Sequence, residues 1–440
     1  DPGTDILSIV RAYDLPTEFS EKVMNQVERV AQPAAEADLE GRMDLRDVTM
    51  VTIDGEDAKD LDDAVSLKRD GDNYILGVHI ADVTYYVKQG DTIDEEAFKR
   101  ATSVYLVDRT IPMLPERLSN QLCSLRPHED KCCFSVLFKM DSAANVKEYQ
   151  IVHTLINSDR RFTYEEAQTV IETGDGDMKK EILMLDELAK KLREKRFVNG
   201  AIAFERTEVR FEIDDNGKPL GVYFKESKDA NKLIEEFMLL ANRTVAEHIG
   251  KVKLKKEKAK TFVYRVHDLP DPEKLSNLSQ FISRFGYKLK TTGKQTEVSS
   301  SINRLLDQVQ GKREQNLIET IAIRSMSKAI YSTENLGHYG LAFDFYTHFT
   351  SPIRRYPDMM VHRLLDEYAS GAKSVDAVAY EELCKHCSDR EQLAANAERA
   401  SIKYKQVEFM SDKVGQVYDG VISGIQEWGI YVELAENKCE

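Results

Sequence analysis

The stretch Asp54-Gly-Glu-Asp57-Ala-Lys-Asp60-Leu-Asp62-Asp63 contains five aspartates and one glutamate within ten residues. It follows an apolar, β-branched run at residues 48–53, which predicts a strand. Carboxylates gathered this closely repel one another, because two unit charges 4 Å apart cost roughly 4 kcal/mol at an effective dielectric of about 20. A fold that turns the cluster inward therefore needs a cation, and Mg²⁺ and Mn²⁺ prefer carboxylate oxygens.

The spacing of the aspartates limits which local structure could bring them together. On a strand Asp60 and Asp62 share one face while Asp63 points away. On a helix Asp60 and Asp63 align but Asp62 does not. Only an irregular turn lets these three residues converge with Asp54. Taken alone, the stretch favours a solvated acidic loop over a site.

Two other site types do not fit the stretch. No window provides the Asp-x-Asn/Asp-x-Asn/Asp-Gly pattern of an EF-hand loop. A phosphotransferase with a strand-end Asp-x-Asp would need an apolar strand directly before Asp60, and residues 55–59 are polar. A solvated loop and a divalent-cation site built from the turn both stay open at this point.

The composition is that of an ordinary globular protein, with 42% hydrophobic and 31% charged residues in a chain of 440. This length allows two or three domains, or one large domain with appendages. No apolar run is long enough to span a membrane. The first residues, Asp-Pro-Gly-Thr-Asp, are no signal peptide, and we expect them to be internal to a longer protein.

Six cysteines do not suggest a disulfide framework in a chain of this length. Cys384-Lys-His-Cys387 is a single C-x-x-C without a second pair, so we expect reduced helix cysteines and a cytoplasmic location. The net charge of −15, considered by itself, argues against nucleic acid as a partner.

Periodicity predicts strands early in the chain and helices late, which favours an α+β fold. The acidic turn lies between strands, and His79 is expected to be a core histidine. The predicted strands are at residues 48–53, 64–67, 74–81, 134–138, 148–153, 201–204 and 208–213. The predicted helices are at residues 19–30, 91–101, 162–196, 230–249, 271–287, 302–331 and 376–410.

The lysine-rich run at residues 251–260 is expected to be a solvated face. Residues 415–434 alternate apolar and polar residues with glycines, which predicts two or three strands of a small, incomplete barrel.

A second informative stretch is Phe349-Thr-Ser-Pro-Ile-Arg354-Arg355-Tyr-Pro-Asp358, which precedes an apolar helix. Two arginines at this position could clamp phosphate oxygens in bidentate fashion. Aromatic side chains beside basic ones are typical of channels for single-stranded nucleic acid, where the rings stack on bases.

The acidic stretch and the Ser-Pro-Ile-Arg-Arg stretch, in this order, resemble the catalytic (RNB) domain of the ribonuclease II / ribonuclease R family. The Arg354-Arg355-Tyr-Pro sequence is closer to the ribonuclease R branch, and the tail resembles the opening of an S1 RNA-binding domain. The resemblance implies a linker and connecting helix at residues 1–46. It further implies an RNB domain with a mixed sheet and surrounding helices at 47–411, and the truncated start of an S1-type OB barrel at 412–440.

The resemblance also implies an activity: processive 3′-to-5′ hydrolysis of single-stranded RNA to 5′-nucleoside monophosphates with Mg²⁺ or Mn²⁺. We expect a monomer in the cytoplasm, without a membrane or an obligatory protein partner. The family normally has basic RNA-binding modules on both sides of the catalytic domain, so their absence from this stretch of chain would explain an acidic core.

Site residues follow from the resemblance position by position. Asp54, Asp60, Asp62 and Asp63 match the four acidic positions that hold metal and support catalysis, with Asp62 the most critical. Arg354 matches the arginine near the scissile phosphate, and Arg355 is expected to bind substrate. The remaining matches are Tyr105, which stacks on the 3′-terminal base, Glu398, which lines the terminal-nucleotide pocket, and Phe204, which clamps the far end of the stacked bases.

Two functions from other classes remain open. One is an RNA-binding relative without catalysis, which the presence of all four aspartates and Arg354 disfavours. The other is a Ca²⁺-binding scaffold, which the missing loop pattern disfavours.

Overall fold

The computed structural model describes residues 4–32, 39–204, 208–252 and 258–440. Its strands in chain order are β1 (Met43–Asp44), β2 (Met50–Asp54), β3 (Asp63–Asp70), β4 (Asn73–Ala81), β5 (Val104–Tyr105), β6 (Thr110–Ile111), β7 (Asp130–Met140), β8 (Val146–Asn157), β9 (Arg160–Thr163), β10 (Glu208–Ile213), β11 (Pro219–Lys225), β12 (Tyr264–Val266), β13 (Ile330–Ser332), β14 (Gly420–Gln426) and β15 (Gly429–Leu434).

The α-helices of the described residues are α1 (Thr4–Ala12), α2 (Glu21–Val30), α3 (Val83–Tyr86), α4 (Thr92–Arg100), α5 (Tyr164–Thr173), α6 (Lys179–Val198), α7 (Asp229–Gly250), α8 (Pro272–Ser283), α9 (Gln295–Val309), α10 (Gln315–Arg324), α11 (Tyr356–Ala369) and α12 (Ala377–Met410). The predicted α+β class is confirmed.

A seven-stranded mixed sheet organises the protein, with the strand order β1-β8-β7-β4-β3-β2-β9. The strands β2, β3, β4, β7 and β8 pair antiparallel, whereas β9 runs parallel to β2 and β1 runs parallel to β8. Residues 76–81 of the central strand β4 are all buried, because helices and loops cover both faces of the sheet. The largest hydrophobic cluster joins the sheet to α2, α5, α6, α7 and α11.

A second, smaller core lies in the helical region formed by α8, α9 and α10. Its buried side chains include Leu278, Ile302 and Ile318, and Ile202 reaches it from the segment before β10. The predicted strand at 201–204 is wrong for this reason. Ala203 N–H donates to Oδ1 of Asn303, and the amide of Asn303 donates to the Ala201 carbonyl, so a helix side chain replaces a strand partner.

Two predicted helices are interrupted in the structure. The helix expected at 162–196 begins as β9 and then divides into α5 and α6, because Gly174 ends α5 in a left-handed conformation with φ 67°. The helix expected at 302–331 divides into α9 and α10, and Ile330–Ser332 forms β13 opposite β12. Pairing with a distant strand decides the last segment, which periodicity within a window cannot detect.

The last described helix and the tail agree with their predicted types. Asp376 caps α12 by accepting a hydrogen bond from Ala379 N–H, and the helix continues to Met410. The tail forms the antiparallel hairpin β14–β15, in which Ile425, Trp428 and Ile430 are largely exposed. Residues 253–257 of the lysine-rich run lie outside the described residues. Among the described helices, none is both long enough and apolar enough to cross a membrane.

Candidate active site

The acidic turn connects two neighbouring strands of the central sheet. Asp54 is the last residue of β2 and lies opposite Thr163 of β9, while Asp63 is the first residue of β3 and lies opposite Ile80. Both ends of the turn are therefore held by backbone hydrogen bonds of a buried sheet. The predicted irregular turn between strands is confirmed.

Arg161 holds the first half of the turn from β9. Its Nη2 donates hydrogen bonds to the carbonyl oxygens of Gly55, Glu56 and Ala58, at 3.0, 2.9 and 2.7 Å. Our sequence reasoning missed this residue. No local pattern indicates it, because only the parallel pairing of β9 with β2 places Arg161 over a turn more than 100 positions earlier.

Ser124 holds the second half of the turn. Its hydroxyl donates to the Lys59 carbonyl at 2.7 Å and accepts from Leu61 N–H at 3.0 Å. Leu61 is only 1% exposed and belongs to the main core, so it anchors the turn between Asp60 and Asp62. Both carboxylates line the same cavity.

The Asp62 carboxylate contacts the Ser-Pro-Ile-Arg-Arg stretch at residues 351–355. Its Oδ1 accepts a hydrogen bond from Ile353 N–H at 3.0 Å, and its Oδ2 lies 3.9 Å from Nε of Arg354. Nη2 of Arg354 donates to Oγ of Ser351 at 3.0 Å, which fixes the guanidinium at the cavity wall. The arginine side chain remains 41% exposed, so one side of it faces the open cavity.

Two buried polar residues hold the loop that carries Arg354. Oδ1 of Asn242, in α7, accepts from Phe349 N–H at 2.7 Å, and Oδ2 of Asp358 accepts from Ser351 N–H at 2.7 Å. The loop is thus attached at both ends to helices packed in the core. Asn242 is another residue that the sequence analysis missed; it lies within a predicted amphipathic helix.

The pKa values of the four aspartates are all raised. Burial raises the pKa of Asp54 to about 9, and the neighbouring carboxylates of Asp63 and Asp62 add to the shift. Burial likewise raises the pKa of Asp63 to about 7, against the opposing effect of Arg354. The pKa values of Asp60 and Asp62 are also raised, first by burial. Without a bound cation, protons therefore neutralise part of the negative charge of the cluster.

The donor set fits a hard divalent cation in its chemistry. Oδ2 of Asp54 and Oδ2 of Asp63 are buried and have no hydrogen-bond partner, which is costly for carboxylate oxygens unless a cation or proton satisfies them. All four side chains offer oxygen, as Mg²⁺ and Mn²⁺ require. In the described part of the chain no three acidic, histidine or cysteine side chains are already close enough to bind a metal, so the carboxylates would have to close around it.

The four aspartates and Arg354 line one cavity of about 1130 Å³. Tyr105 also lines it and borders a neighbouring cavity of about 1020 Å³, which Glu398 lines. Tyr105 N–H donates to Oε1 of Glu398 at 3.1 Å, and the residue as a whole is 42% exposed. The structure thus brings eight of the nine predicted site residues, including Arg355, to these two adjoining cavities.

Arg355 differs from its neighbour Arg354. It lines the cavity, but its guanidinium donates to Oδ2 of Asp358 at 2.8 Å, and the two side chains are 16% and 0% exposed. This buried ion pair gives Arg355 a role in holding the loop. Its predicted contact with substrate stays a prediction.

Phe204 is not beside the acidic turn. It packs against the core of α8, α9 and α10 and lines a separate cavity of about 630 Å³ between that helical region and the tail hairpin. Lys312 and Asn316 line the same cavity. A role for Phe204 at the far end of a bound strand stays a prediction.

Two further cavity residues were not predicted. Tyr164 begins α5, and its pKa is raised first by burial and then by Asp54 and Asp63. Glu235 of α7 has a pKa raised by burial in the same wall. No local pattern indicated Glu235, because it lies on the helix face opposite the predicted apolar residues Leu233 and Phe237.

The predicted core role of His79 is confirmed. The ring is fully buried, with its two nitrogens 2.9 Å from Oγ of Ser66 and 2.8 Å from Oγ of Ser135. Burial lowers its pKa to about 4. Cys384 and Cys387 are buried free thiols on α12.

Comparison with known families identifies the group to which this fold and cavity belong. Residues 42–371 match the model of the RNB domain. The chain belongs to the RNB domain family. The four aspartates and both arginines lie within the matched RNB residues, whereas Glu398 lies beyond them.

Individual RNB relatives agree with this membership. The chain is 40% identical over 444 residues to "Ribonuclease R" of Aquifex aeolicus, covering 98% of this chain and 62% of the relative. The chain therefore spans about three-fifths of that curated relative. The solved structure of Mycoplasma genitalium RNase R with ribose-methylated single-stranded RNA matches with a TM-score of 0.90 at 28% identity, covering all of this chain and 69% of that one.

The RNB fold alone does not decide activity. The structure of yeast Ssd1, described as a pseudonuclease, matches with a TM-score of 0.78 at 22% identity over 96% of this chain and 53% of Ssd1. Function must therefore be argued from the side chains in the cavity.

Proposed function

We propose that this chain is the catalytic core of a 3′-to-5′ exoribonuclease that hydrolyses single-stranded RNA to 5′-nucleoside monophosphates. The observation that supports it best is that Asp62 accepts a hydrogen bond from Ile353 N–H and lies beside the Arg354 guanidinium. The cavity in which they lie is also lined by the three other aspartates. The name of the Aquifex relative and the RNA bound in the Mycoplasma structure support the same substrate class.

Each residue has a role that follows from its place. Asp54, Asp60, Asp62 and Asp63 would hold a divalent cation, Mg²⁺ or Mn²⁺, by their carboxylate oxygens. Such a cation supplies Lewis acidity and a water of lowered pKa. Arg354, already fixed by Ser351, would face the phosphate and offset the charge that grows on its oxygens during cleavage.

Tyr105 and Glu398 would recognise the end of the strand. The exposed face of the Tyr105 ring can stack on the terminal base, which is sequence-tolerant because every base has a π-face. Glu398 already accepts the Tyr105 N–H, so the two residues form one wall. We further propose Arg355 and Phe204 as substrate contacts, the latter at the far end of the strand.

The domain organisation is part of the same proposal. Residues 1–46 would be a linker with a connecting helix, 47–411 the RNB domain, and 412–440 the start of an S1-type OB barrel. The hairpin β14–β15 with its exposed apolar side chains supports the last assignment. Six free cysteines fit a reducing compartment such as the cytoplasm, and we propose a monomer there.

The acidic charge of the chain affects how RNA can bind. With a net charge of −15, attraction to phosphates has to come from positively charged side chains within the cavity, which include Lys59, Arg210 and Arg354. We therefore expect this chain to bind RNA weakly and with a strong dependence on salt.

The test uses a 5′-labelled oligoribonucleotide, with and without a 3′-terminal block, in Mg²⁺ or in chelator. We expect disappearance of the full-length strand without a ladder, release of 5′-monophosphates seen by chromatography, and loss of both upon 3′ blocking or chelation. Cleavage that is indifferent to the 3′ block or to chelator would refute the proposal.

The competing function is RNA binding without catalysis. It is favoured by one observation, that no three ligands in the described residues are already at metal-binding distance. A chain that binds the oligoribonucleotide but releases no mononucleotide in Mg²⁺ or Mn²⁺ would establish it.

A further inference from the structure

The N-terminal helix α1 packs against the two elements that carry Tyr105 and Glu398. Ile6 and Val10 of α1 are 0% and 5% exposed and belong to one hydrophobic cluster. The other buried members of this cluster are Leu15, Val104, Leu106, Ile111, Ala394 and Ala397. Val104 and Leu106 flank Tyr105, and Ala397 precedes Glu398, so the cluster lies directly behind the wall that these two residues form.

Strand β5, which contains Tyr105, has little stability of its own. It is two residues long and pairs with only two residues of β6. An isolated ribbon of this size does not persist in water. Its position therefore depends on packing, on Ser103 N–H, which donates to the Arg354 carbonyl at 3.0 Å, and on bonds to α12. There, Tyr105 N–H donates to Glu398 and Val107 N–H donates to Oγ of Ser401 at 3.1 Å.

Helix α1 likewise depends on this packing. It has nine residues, which is too short for an isolated helix to be stable in water. Ile6 and Val10 are four positions apart and form its buried stripe, whereas Leu7 is 39% exposed. Formation of α1 and fixation of β5 against α12 are thus coupled through one set of buried side chains.

We propose that α1 is a positioning element for recognition of the RNA 3′ end, with Ile6 and Val10 holding Tyr105 against Glu398. This inference rests on the proposed function. Helix α1 lies before residues 42–371, which match the RNB domain, and α12 lies after them. The wall that meets the terminal base would therefore be completed by segments on both sides of the matched domain.

The experiment compares two oligoribonucleotides of equal length that differ only at the 3′-terminal nucleotide, which carries adenine in one and no base in the other. Single-turnover cleavage is measured for the wild type, for the double variant Ile6→Ala/Val10→Ala and for the matched control Leu7→Ala. If the terminal base stacks on Tyr105, the wild type should prefer the adenine end by about tenfold. The double variant should lose most of this preference, and Leu7→Ala should keep it.

The ratio of the two rates separates positioning from stability, because general destabilisation slows both substrates equally. A folded double variant with the wild-type ratio would overturn the inference. If the double variant does not fold, Val10→Ala alone is measured, where a reduced ratio supports the inference and an unchanged ratio overturns it.

A wild type that cleaves neither RNA refutes the proposed function instead. An active wild type without a preference overturns the inference while the exoribonuclease function stands.

Discussion

Ile353 N–H donates a hydrogen bond to Oδ1 of Asp62 over 3.0 Å, although the two residues are 291 positions apart in the sequence. The bond is buried and leaves the other carboxylate oxygen 3.9 Å from Nε of Arg354. One aspartate therefore fixes the distance between the acidic turn and the arginine loop. The consequences for activity can be tested residue by residue.

Asp62→Asn should abolish cleavage and leave RNA binding largely intact. Asparagine keeps an oxygen that can accept from Ile353 N–H, so the loop should stay in place, but the charge that holds a cation is lost. We expect a loss of roughly 1000-fold or more in single-turnover rate, equivalent to several kcal/mol of transition-state stabilisation. RNA binding is measured by fluorescence anisotropy, with Asp72→Asn in the exposed β3–β4 turn as the control. Retained turnover in Asp62→Asn would contradict the assignment.

Arg161→Met should lower cleavage while changing RNA affinity little. The substitution removes three hydrogen bonds to the turn carbonyls and a positive charge that lowers the pKa of Asp54. Loss of a residue that orients metal-binding side chains typically lowers metal affinity or activity by about 10- to 100-fold, and we expect the cleavage rate to fall in this range. The neighbouring Arg160→Met is the matched control, since Arg160 bonds to Asp177 at the surface. Equal rates for the two variants would exclude a positioning role for Arg161.

Alanine substitution of the two adjacent arginines should affect different properties, the cleavage rate for Arg354 and the stability of the fold for Arg355. Arg354→Ala should lower the cleavage rate by about 100-fold with little effect on the melting temperature, because its side chain is partly exposed and aimed at the cavity. Arg355→Ala should instead destabilise the fold by about 3–5 kcal/mol, because it leaves Asp358 buried and unpaired. Denaturant unfolding and single-turnover kinetics separate the two effects. A stable Arg355→Ala variant with weakened RNA binding would favour direct substrate contact.

Divalent cations should stabilise the folded chain through the acidic turn. A ligand that binds only the folded state stabilises it by about 2.7 kcal/mol at 100 times its Kd. We therefore expect Mg²⁺ or Mn²⁺ to raise the melting temperature of the wild type and to have much less effect on Asp63→Asn. Differential scanning fluorimetry in chelator provides the baseline. An equal shift in both proteins would place the cation elsewhere.

His153 should make stability depend on pH in the alkaline range. Desolvation of the ring opposes its charge, but hydrogen bonds to Asp366 and Asp82 outweigh this effect and raise the pKa to about 9. A raised histidine pKa contributes stability that is complete below the unfolded value of about 6.5 and is lost as the pH rises through 9. The expected loss is roughly 2–3 kcal/mol, measured by urea unfolding between pH 6.5 and 9.5. His153→Gln should remove this slope, and an unchanged slope would assign it to other groups.

The local parts of the fold could be predicted because local patterns determine them. The β-branched run before Asp54, the largely apolar run at residues 74–81 and the Ala-, Glu- and Lys-rich composition of residues 376–410 correctly predicted a strand, a strand and a helix. The irregular turn followed from the spacing of four aspartates that no regular structure can gather. Segments whose partners are distant were not predictable, such as Ile330–Ser332, which becomes a strand by pairing with β12.

The site was predictable only in part for the same reason. The resemblance selected Asp54, Asp60, Asp62, Asp63 and Arg354, which the structure gathers in one cavity. It gave no indication of Arg161 or Asn242, whose side chains bond to backbone groups of distant segments. The resemblance also did not distinguish the role of Arg354 from that of Arg355. The two side chains are identical and differ only in the residues that surround them in the fold.

The sequence by itself determined which chemical groups are available for the proposed function: four closely spaced carboxylates, and an arginine pair before an apolar helix. Tertiary structure decided which oxygen faces the cavity, which arginine is buried against Asp358, and that α1 lies behind Tyr105. The physical reason is that residue type and spacing fix charge and local conformation. Burial, by contrast, and with it the pKa and the availability of each group, depends on segments that the fold brings together from across the chain.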